Sequence, residues 1–96
     1  MRARFYVREF LNQPGFHAGA HVLVEVPDGT DPWDHVTFHI ADCARSVELD
    51  FPANSREQRQ NSLAKADLLA DVVTAFRSAL ADYIRAVEGA EPSEGC

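Results

Sequence analysis

The chain has few cysteines and no long apolar run, and both absences exclude classes of protein. Cys43 and Cys96 are its two cysteines, too few for the disulfide framework of a small secreted domain. No apolar stretch approaches the roughly 18–20 residues that a membrane-spanning helix needs. The first residues also lack the apolar segment of a signal peptide. We therefore expect a cytoplasmic protein in a reducing compartment.

Basic residues are also scarce. Nine Lys and Arg face 15 Asp and Glu, for a net charge of −6. Contacts to phosphate need basic patches, so this balance argues against nucleic acid as a partner. The one basic cluster, Arg2, Arg4 and Arg8, is interpreted as the solvent-facing side of a first strand.

Motifs of catalysis and cofactor binding are absent. The sequence has no Gly-x-Ser-x-Gly nucleophile elbow, no Gly-x-x-x-x-Gly-Lys phosphate loop and no His-Glu-x-x-His zinc motif. The sequence therefore favours a protein that is not an enzyme, and it predicts no cofactor.

The clearest pattern present is that of one long amphipathic helix over residues 56–88. Ser55 and Gln58 predict a capping box at its start, and Gly89 predicts a left-handed stop at its end. Large apolar residues recur at alternating spacings of four and three, which is typical of a helix that buries one face. They are Leu69, Val73, Phe76, Leu80, Tyr83 and Val87, with Leu68, Val72 and Ile84 beside them. Phe76, in the middle of this face, is predicted to be buried.

Four stretches before the helix alternate between apolar and polar residues or are rich in Phe, Tyr and Val, and they predict β-strands. The strands lie at 4–11, 20–26, 34–41 and 46–51, with a four-residue hairpin loop at 42–45. Which face of the first strand is buried stays open, since both faces carry large apolar residues. The predicted fold is α+β: a four-stranded antiparallel meander sheet with one long C-terminal helix packed on one face. We expect residues 1–89 to form a single domain and 90–96 a disordered tail.

The strand register follows from placing apolar residues opposite one another. It predicts Ile40 opposite Val47 and Phe38 opposite Leu49 in the last hairpin. In the middle hairpin it predicts Val22 opposite Phe38, with Val24 opposite Val36.

On the outer face, the same register brings His21 opposite His39, and His39 opposite Glu48. Two imidazoles and a carboxylate at cross-strand spacing can ligate zinc or iron. The alternative is a solvated polar face without a ligand.

The helix also predicts self-association. At 33 residues it is about 50 Å long, whereas strands of six to eight residues span about 20–27 Å. The overhanging part would expose apolar residues in a monomer, and we therefore expect a homodimer. A break in the helix near Ser78, or an extra layer from the first strand, is the alternative. The predicted self-association residues are Leu80, Tyr83, Ile84 and Val87.

The second half of the chain carries the runs DCARSVELDF (42–51), NSLAK (61–65) and TAFR (74–77). In its general residue pattern, without a diagnostic motif, this half resembles small uncharacterised proteins of actinobacteriophages. The resemblance implies an accessory phage protein that acts on the bacterial host by binding a host protein, and it assigns no functional residue. The function that the sequence favours is a non-enzymatic, dimeric protein-interaction module. The alternative is a metal-binding or metal-dependent protein that uses His21, His39 and Glu48.

Overall fold

The structure is a computed structural model and describes residues 3–16, 19–29 and 35–91. It confirms the α+β prediction: four antiparallel strands in the order β1-β2-β3-β4 precede one long helix. The predicted strand bounds are close to the observed ones, although the third strand begins at residue 37 and position 34 lies outside the described residues. The elements are β1 (Ala3–Phe10), β2 (His21–Pro27), β3 (Thr37–Asp42), β4 (Arg45–Asp50) and α1 (Arg56–Ala90).

The chain divides into two compact units, Met1–Ser62 and Leu63–Cys96. The first contains the sheet and the first two turns of α1, and the second contains the rest of the helix. Packing of the helix on one face of the sheet and a single domain over 1–89 stay predictions. Of the predicted tail, Ala90 belongs to α1 and residues 92–96 lie outside the described residues.

The β3–β4 hairpin confirms the predicted register. Ile40 pairs with Val47 and Phe38 with Leu49. The loop is shorter than predicted, because pairing continues through Asp42 and Arg45 and leaves two residues in the turn. The prediction ended the two strands at Ala41 and Ser46, whereas the observed pairing carries each strand one residue further into the turn.

The β2–β3 register was predicted wrongly by two residues. Val22 pairs with Ile40 and Val24 with Phe38, where the sequence predicted Phe38 and Val36. Because side chains alternate with a period of two, a shift by two residues keeps every apolar residue on the same face. Alternation therefore identifies the face but does not select the partner.

Pairing of β1 with β2 decides the orientation of the first strand, which the sequence left open. Phe5 pairs with Val26 and Val7 with Val24, so these residues of β1 share the apolar face of the sheet. We call the opposite side the outer face. It carries Tyr6, Arg8, Phe10, His21, Leu23, Glu25, His39 and Glu48.

Side chains next to Ser55 hold the start of α1, as the predicted capping box requires. The Gln58 N–H donates to the Ser55 Oγ at 3.1 Å. The Gln58 side chain returns to the chain before the helix, where its Oε1 accepts from the Asn54 N–H at 2.8 Å. In an ideal capping box that bond would go to the N–H of Ser55 itself. The cap is therefore confirmed, with its second bond displaced by one residue.

Two side chains of the first two turns bond to the segment that follows β4. Arg59 donates from its Nη1 to the Ala53 carbonyl at 3.1 Å. The Ser62 hydroxyl donates to the Pro52 carbonyl at 2.6 Å. These bonds and the cap satisfy polar groups where the chain enters the helix.

The end of α1 differs from the prediction. The helix continues through Gly89 to Ala90, and Gly89 is not among the glycines with positive φ. Glu91 donates its N–H to the Val87 carbonyl at 3.1 Å, as in a continuing helix. The left-handed stop predicted at Gly89 is therefore wrong.

Few side chains are buried. Among the described residues, the buried apolar ones are Ala20 and Ala41, at 6% and 7% exposure. On the apolar face of the sheet, Val22, Val24 and Phe38 are half-buried. The rings of Phe38 and Phe51 lie with their centroids 6.0 Å apart. The described part of the chain thus lacks the buried core of large side chains that usually stabilises a small domain.

Candidate self-association surface

The apolar face of α1 is accessible along its length. Within the described helix no residue is buried. Phe76 is 62% exposed, and its burial against the sheet stays a prediction, as does the packing of the helix itself. We call this surface the α1 stripe, and it consists of Leu68, Leu69, Val72, Val73, Phe76, Leu80, Tyr83, Ile84 and Val87.

The α1 stripe is wide as well as long. At 100° per residue, its members cover a sector of about 160° and a length of about 30 Å. No charged residue falls between Leu68 and Val87 in this sector, whereas the opposite face carries Asp67, Asp71 and Asp82. Arg85 forms an ion pair with Asp82 there, and both side chains are largely exposed. A two-stranded coiled coil uses a narrower seam, so the width of the stripe suits contact with more than one neighbouring element.

All four residues that the sequence predicts for self-association lie on this stripe. Leu80, Ile84 and Val87 are 41%, 44% and 40% exposed, and Tyr83 is 66% exposed. Their role in self-association stays a prediction.

The exposed surface extends further toward the start of the helix than the sequence prediction assumed. Leu68, Val72 and Val73 are more than half exposed. Their spacing was visible in the sequence, but the prediction assigned them to covering the sheet.

The predicted metal residues lie near one another, although not in the predicted register. His39 pairs with Glu48 as predicted, but the partner of His21 is Ala41. His21 and His39 are diagonal neighbours whose rings stack with centroids 5.7 Å apart. Within 3–16, 19–29 and 35–91, no group of three or more His, Cys, Asp or Glu is arranged to hold a metal ion.

A small cavity adjoins this part of the outer face. It has a volume of about 250 Å³ and is lined by Arg8, Glu9, Phe10 and His21. The rings of Phe10 and His21 meet edge to face, with centroids 6.4 Å apart. The His21 Nδ1 lies 3.2 Å from the Gly19 carbonyl oxygen.

The predicted basic cluster is only partly described. Arg4 donates from its guanidinium to the Asp28 carbonyl at 3.1 Å, and Arg8 lies on the outer face between Tyr6 and Phe10. Arg2 lies outside the described residues. No helix in the described ranges is long and apolar enough to cross a membrane.

Fold and surface together define an α+β protein with an open antiparallel sheet and a long helix with an exposed apolar face. No protein-family model, no curated protein and no solved structure matches the chain.

Proposed function

We propose that the chain is a non-enzymatic protein-interaction module that acts as a homodimer through the α1 stripe. The supporting observation is the exposure of the stripe, on which Phe76, Leu68 and Tyr83 are each more than 60% exposed. Exposed apolar patches of this extent mark interaction sites in folded proteins.

The magnitudes favour association. Fully burying a large apolar side chain contributes about 1.5–3 kcal/mol. Nine side chains that are each about half exposed, on two copies, therefore contribute on the order of 20 kcal/mol. Loss of translational and rotational freedom costs about 4–15 kcal/mol. The gain exceeds the cost when most of the stripe is buried, so the balance favours association.

Sedimentation equilibrium of two matched variants tests the proposal. Phe76→Asp places a carboxylate in the middle of the stripe, and Ser78→Asp places the same group on the opposite face. We expect the wild-type protein and Ser78→Asp to sediment at the same mass, and Phe76→Asp at no more than half of that mass. A wild-type protein that stays monomeric at high concentration, with Phe76→Asp lowering only its melting temperature, would show that the stripe is covered within one chain.

A second protein is the expected target of the module. The resemblance to phage accessory proteins suggests that this target is a bacterial host protein. Affinity capture from a bacterial lysate, with wild type, Phe76→Asp and Ser78→Asp as baits, tests this part separately. We expect one protein to be captured by wild type and Ser78→Asp in equal amounts, at a fixed stoichiometry. Background recovery with every bait would contradict a host target while leaving the homodimer intact.

A metal-dependent function is the second candidate, and the stacked imidazoles of His21 and His39 are the observation that favours it. Glu48 opposite His39 would be the third ligand, and the side chains would have to rotate toward one another, because in the described residues no such group is arranged to hold a metal ion. Zinc added to the tag-free protein should then raise the melting temperature, and His39→Ala should abolish the increase. An unchanged melting temperature in the wild-type protein would exclude this function.

A further inference from the structure

β1 forms one edge of the four-stranded sheet and exposes three aromatic side chains. Phe5, Tyr6 and Phe10 are 53%, 56% and 67% exposed. Edge strands are commonly protected from pairing by charged residues, proline, bulges or short length. β1 is eight residues long and has no proline, its register irregularity lies at its start, between Ala3 and Phe5, and its charged residues are Arg4, Arg8 and Glu9. A strand of this kind is a template for pairing with another strand.

The hydrogen bonds of β1 show which backbone groups are free to pair. Leu11 donates its N–H to the Ala20 carbonyl at 2.9 Å, one step beyond the paired Phe10 and His21. Because bonded and non-bonded pairs alternate along an antiparallel ladder, the N–H and C=O groups of Val7 and Glu9 point toward β2. The N–H and C=O groups of the alternate residues, Tyr6, Arg8 and Phe10, point away from the sheet.

We propose that β1 pairs antiparallel with β1 of a second copy, about a twofold axis at Val7, to form a continuous eight-stranded sheet. This contact is separate from the α1 stripe and goes beyond the proposed dimer. In this register Tyr6 lies opposite Arg8 of the second copy, and the outward groups of both residues form the bonded pairs. Each Arg8 then meets an exposed tyrosine ring, which is a favourable cation–π arrangement, and the twofold axis produces it twice.

Neighbouring registers are worse for reasons of charge. Shifting the pairing by two residues in one direction places Arg8 opposite Arg8, and in the other direction it places Arg4 opposite Arg8. Like charges directly opposite destabilise a strand pair. A shift by one residue would place outward groups opposite inward ones and break the hydrogen-bond ladder.

The other edge of the sheet is less suited to pairing. β4 has six residues, of which Arg45, Glu48 and Asp50 are charged. Short length and charge prevent edge pairing, and charged residues make up half of β4, against three of eight residues in β1. The proposed contact therefore uses β1 on both copies and leaves β4 at the two outer edges of the combined sheet.

Disulfide crosslinking tests the register. In a Cys43→Gly, Cys96→Ser parent, Val7→Cys places two thiols on the twofold axis, in a non-bonded pair with Cα atoms about 4.5 Å apart, which suits a disulfide. We expect rapid oxidation to a covalent dimer. Glu9→Cys alone should not crosslink, because it lies opposite Phe5 of the second copy. A mixture of Phe5→Cys and Glu9→Cys chains should crosslink where neither does alone.

Arg8→Pro supplies an independent check. The N–H that it removes points away from β2, so a proline is tolerated there by the single sheet but blocks the new pairing. Added to Val7→Cys, it should abolish crosslinking with little change in the melting of the sheet.

Two results would overturn the proposal. One is Val7→Cys oxidising no faster than Glu9→Cys, and the other is a mixture of Phe5→Cys and Glu9→Cys that does not crosslink. Neither result depends on Phe76→Asp, so this proposal and the α1 dimer can fail separately.

Discussion

At the scale of single residues, Cys43 in the β3–β4 turn has a backbone conformation that does not suit it. Its φ is +55°, in the left-handed region that costs a residue with a Cβ roughly 1–2 kcal/mol. Glycine adopts this conformation without that cost. Cys43→Gly removes this strain, although the larger entropy that glycine has in the unfolded chain offsets part of the gain. The net increase in the free energy of unfolding should be at most about 1 kcal/mol. Urea denaturation followed by circular dichroism would measure the increase.

Ala44 provides the matched control for that substitution. It is the second residue of the same turn, and it is not among the residues with positive φ. Ala44→Gly should lower the free energy of unfolding, because it adds only freedom to the unfolded chain. Equal effects of the two substitutions would contradict the strain assigned to Cys43.

At the scale of secondary-structure elements, the sequence prediction and the structure disagree on the conformation of Gly89 at the end of α1. If Gly89 had the left-handed conformation of a helix stop, replacing it with a residue that has a Cβ would destabilise the protein. Because Gly89 is helical, the same replacement should stabilise the helix. A Cβ added at Gly89 would meet nothing within 4 Å. Gly89→Ala should thus stabilise the helix by about 0.5–1 kcal/mol. Thermal melting monitored by helical circular dichroism would detect this gain.

Gly15 is the control for Gly89. Its φ is +95°, so Gly15→Ala should lower the melting temperature although the space around it is also open. A decrease for Gly89→Ala as well would restore the stop that the sequence predicted.

The elements also show which parts of the fold could be predicted from the sequence. Alternation in β3 and β4 was enough for their register, because a short connection allows few partners. Between β2 and β3 the connection is longer, and alternation alone could not distinguish Phe38 from Ile40 as the partner of Val22. The helix was predicted from its periodicity, whereas its end depends on backbone angles that a glycine permits but does not require.

The candidate surface could be predicted only in part from the sequence. Periodicity identified Tyr83 and Val87 as members of an apolar face. It could not show that Phe76 is exposed, because periodicity gives the direction of a side chain on its helix and not what covers it. The pairing capacity of β1 was missed entirely, since it depends on which strand lies at the edge and on which backbone groups point outward.

At the scale of the whole molecule, the two proposed contacts between copies together predict stepwise assembly. Two different twofold contacts on one chain produce either a closed tetramer or an open chain of copies. Phe76→Asp and Arg8→Pro should each stop assembly at the dimer, and the double variant should be a monomer. Light scattering coupled to size-exclusion chromatography would measure these masses. A double variant with the wild-type mass would contradict both contacts.

Assembly should also govern how the protein melts. With Ala20 and Ala41 as the buried apolar residues of the described chain, much of the apolar burial that stabilises the fold would come from other copies. The melting temperature should therefore fall as the protein is diluted, because association stabilises only the folded form. Differential scanning fluorimetry over a hundredfold dilution would record the decrease, and Phe76→Asp should show a much smaller one.

The scarcity of buried side chains then has a meaning for the cell. A protein whose folding depends on meeting its own copies remains open to proteases while it is rare and becomes resistant once enough has been synthesised. The amount of protein in the cell would then rise sharply above a threshold rate of synthesis, instead of in proportion to that rate. In that case the exposed face of α1 would make the stability of the protein depend on its own concentration.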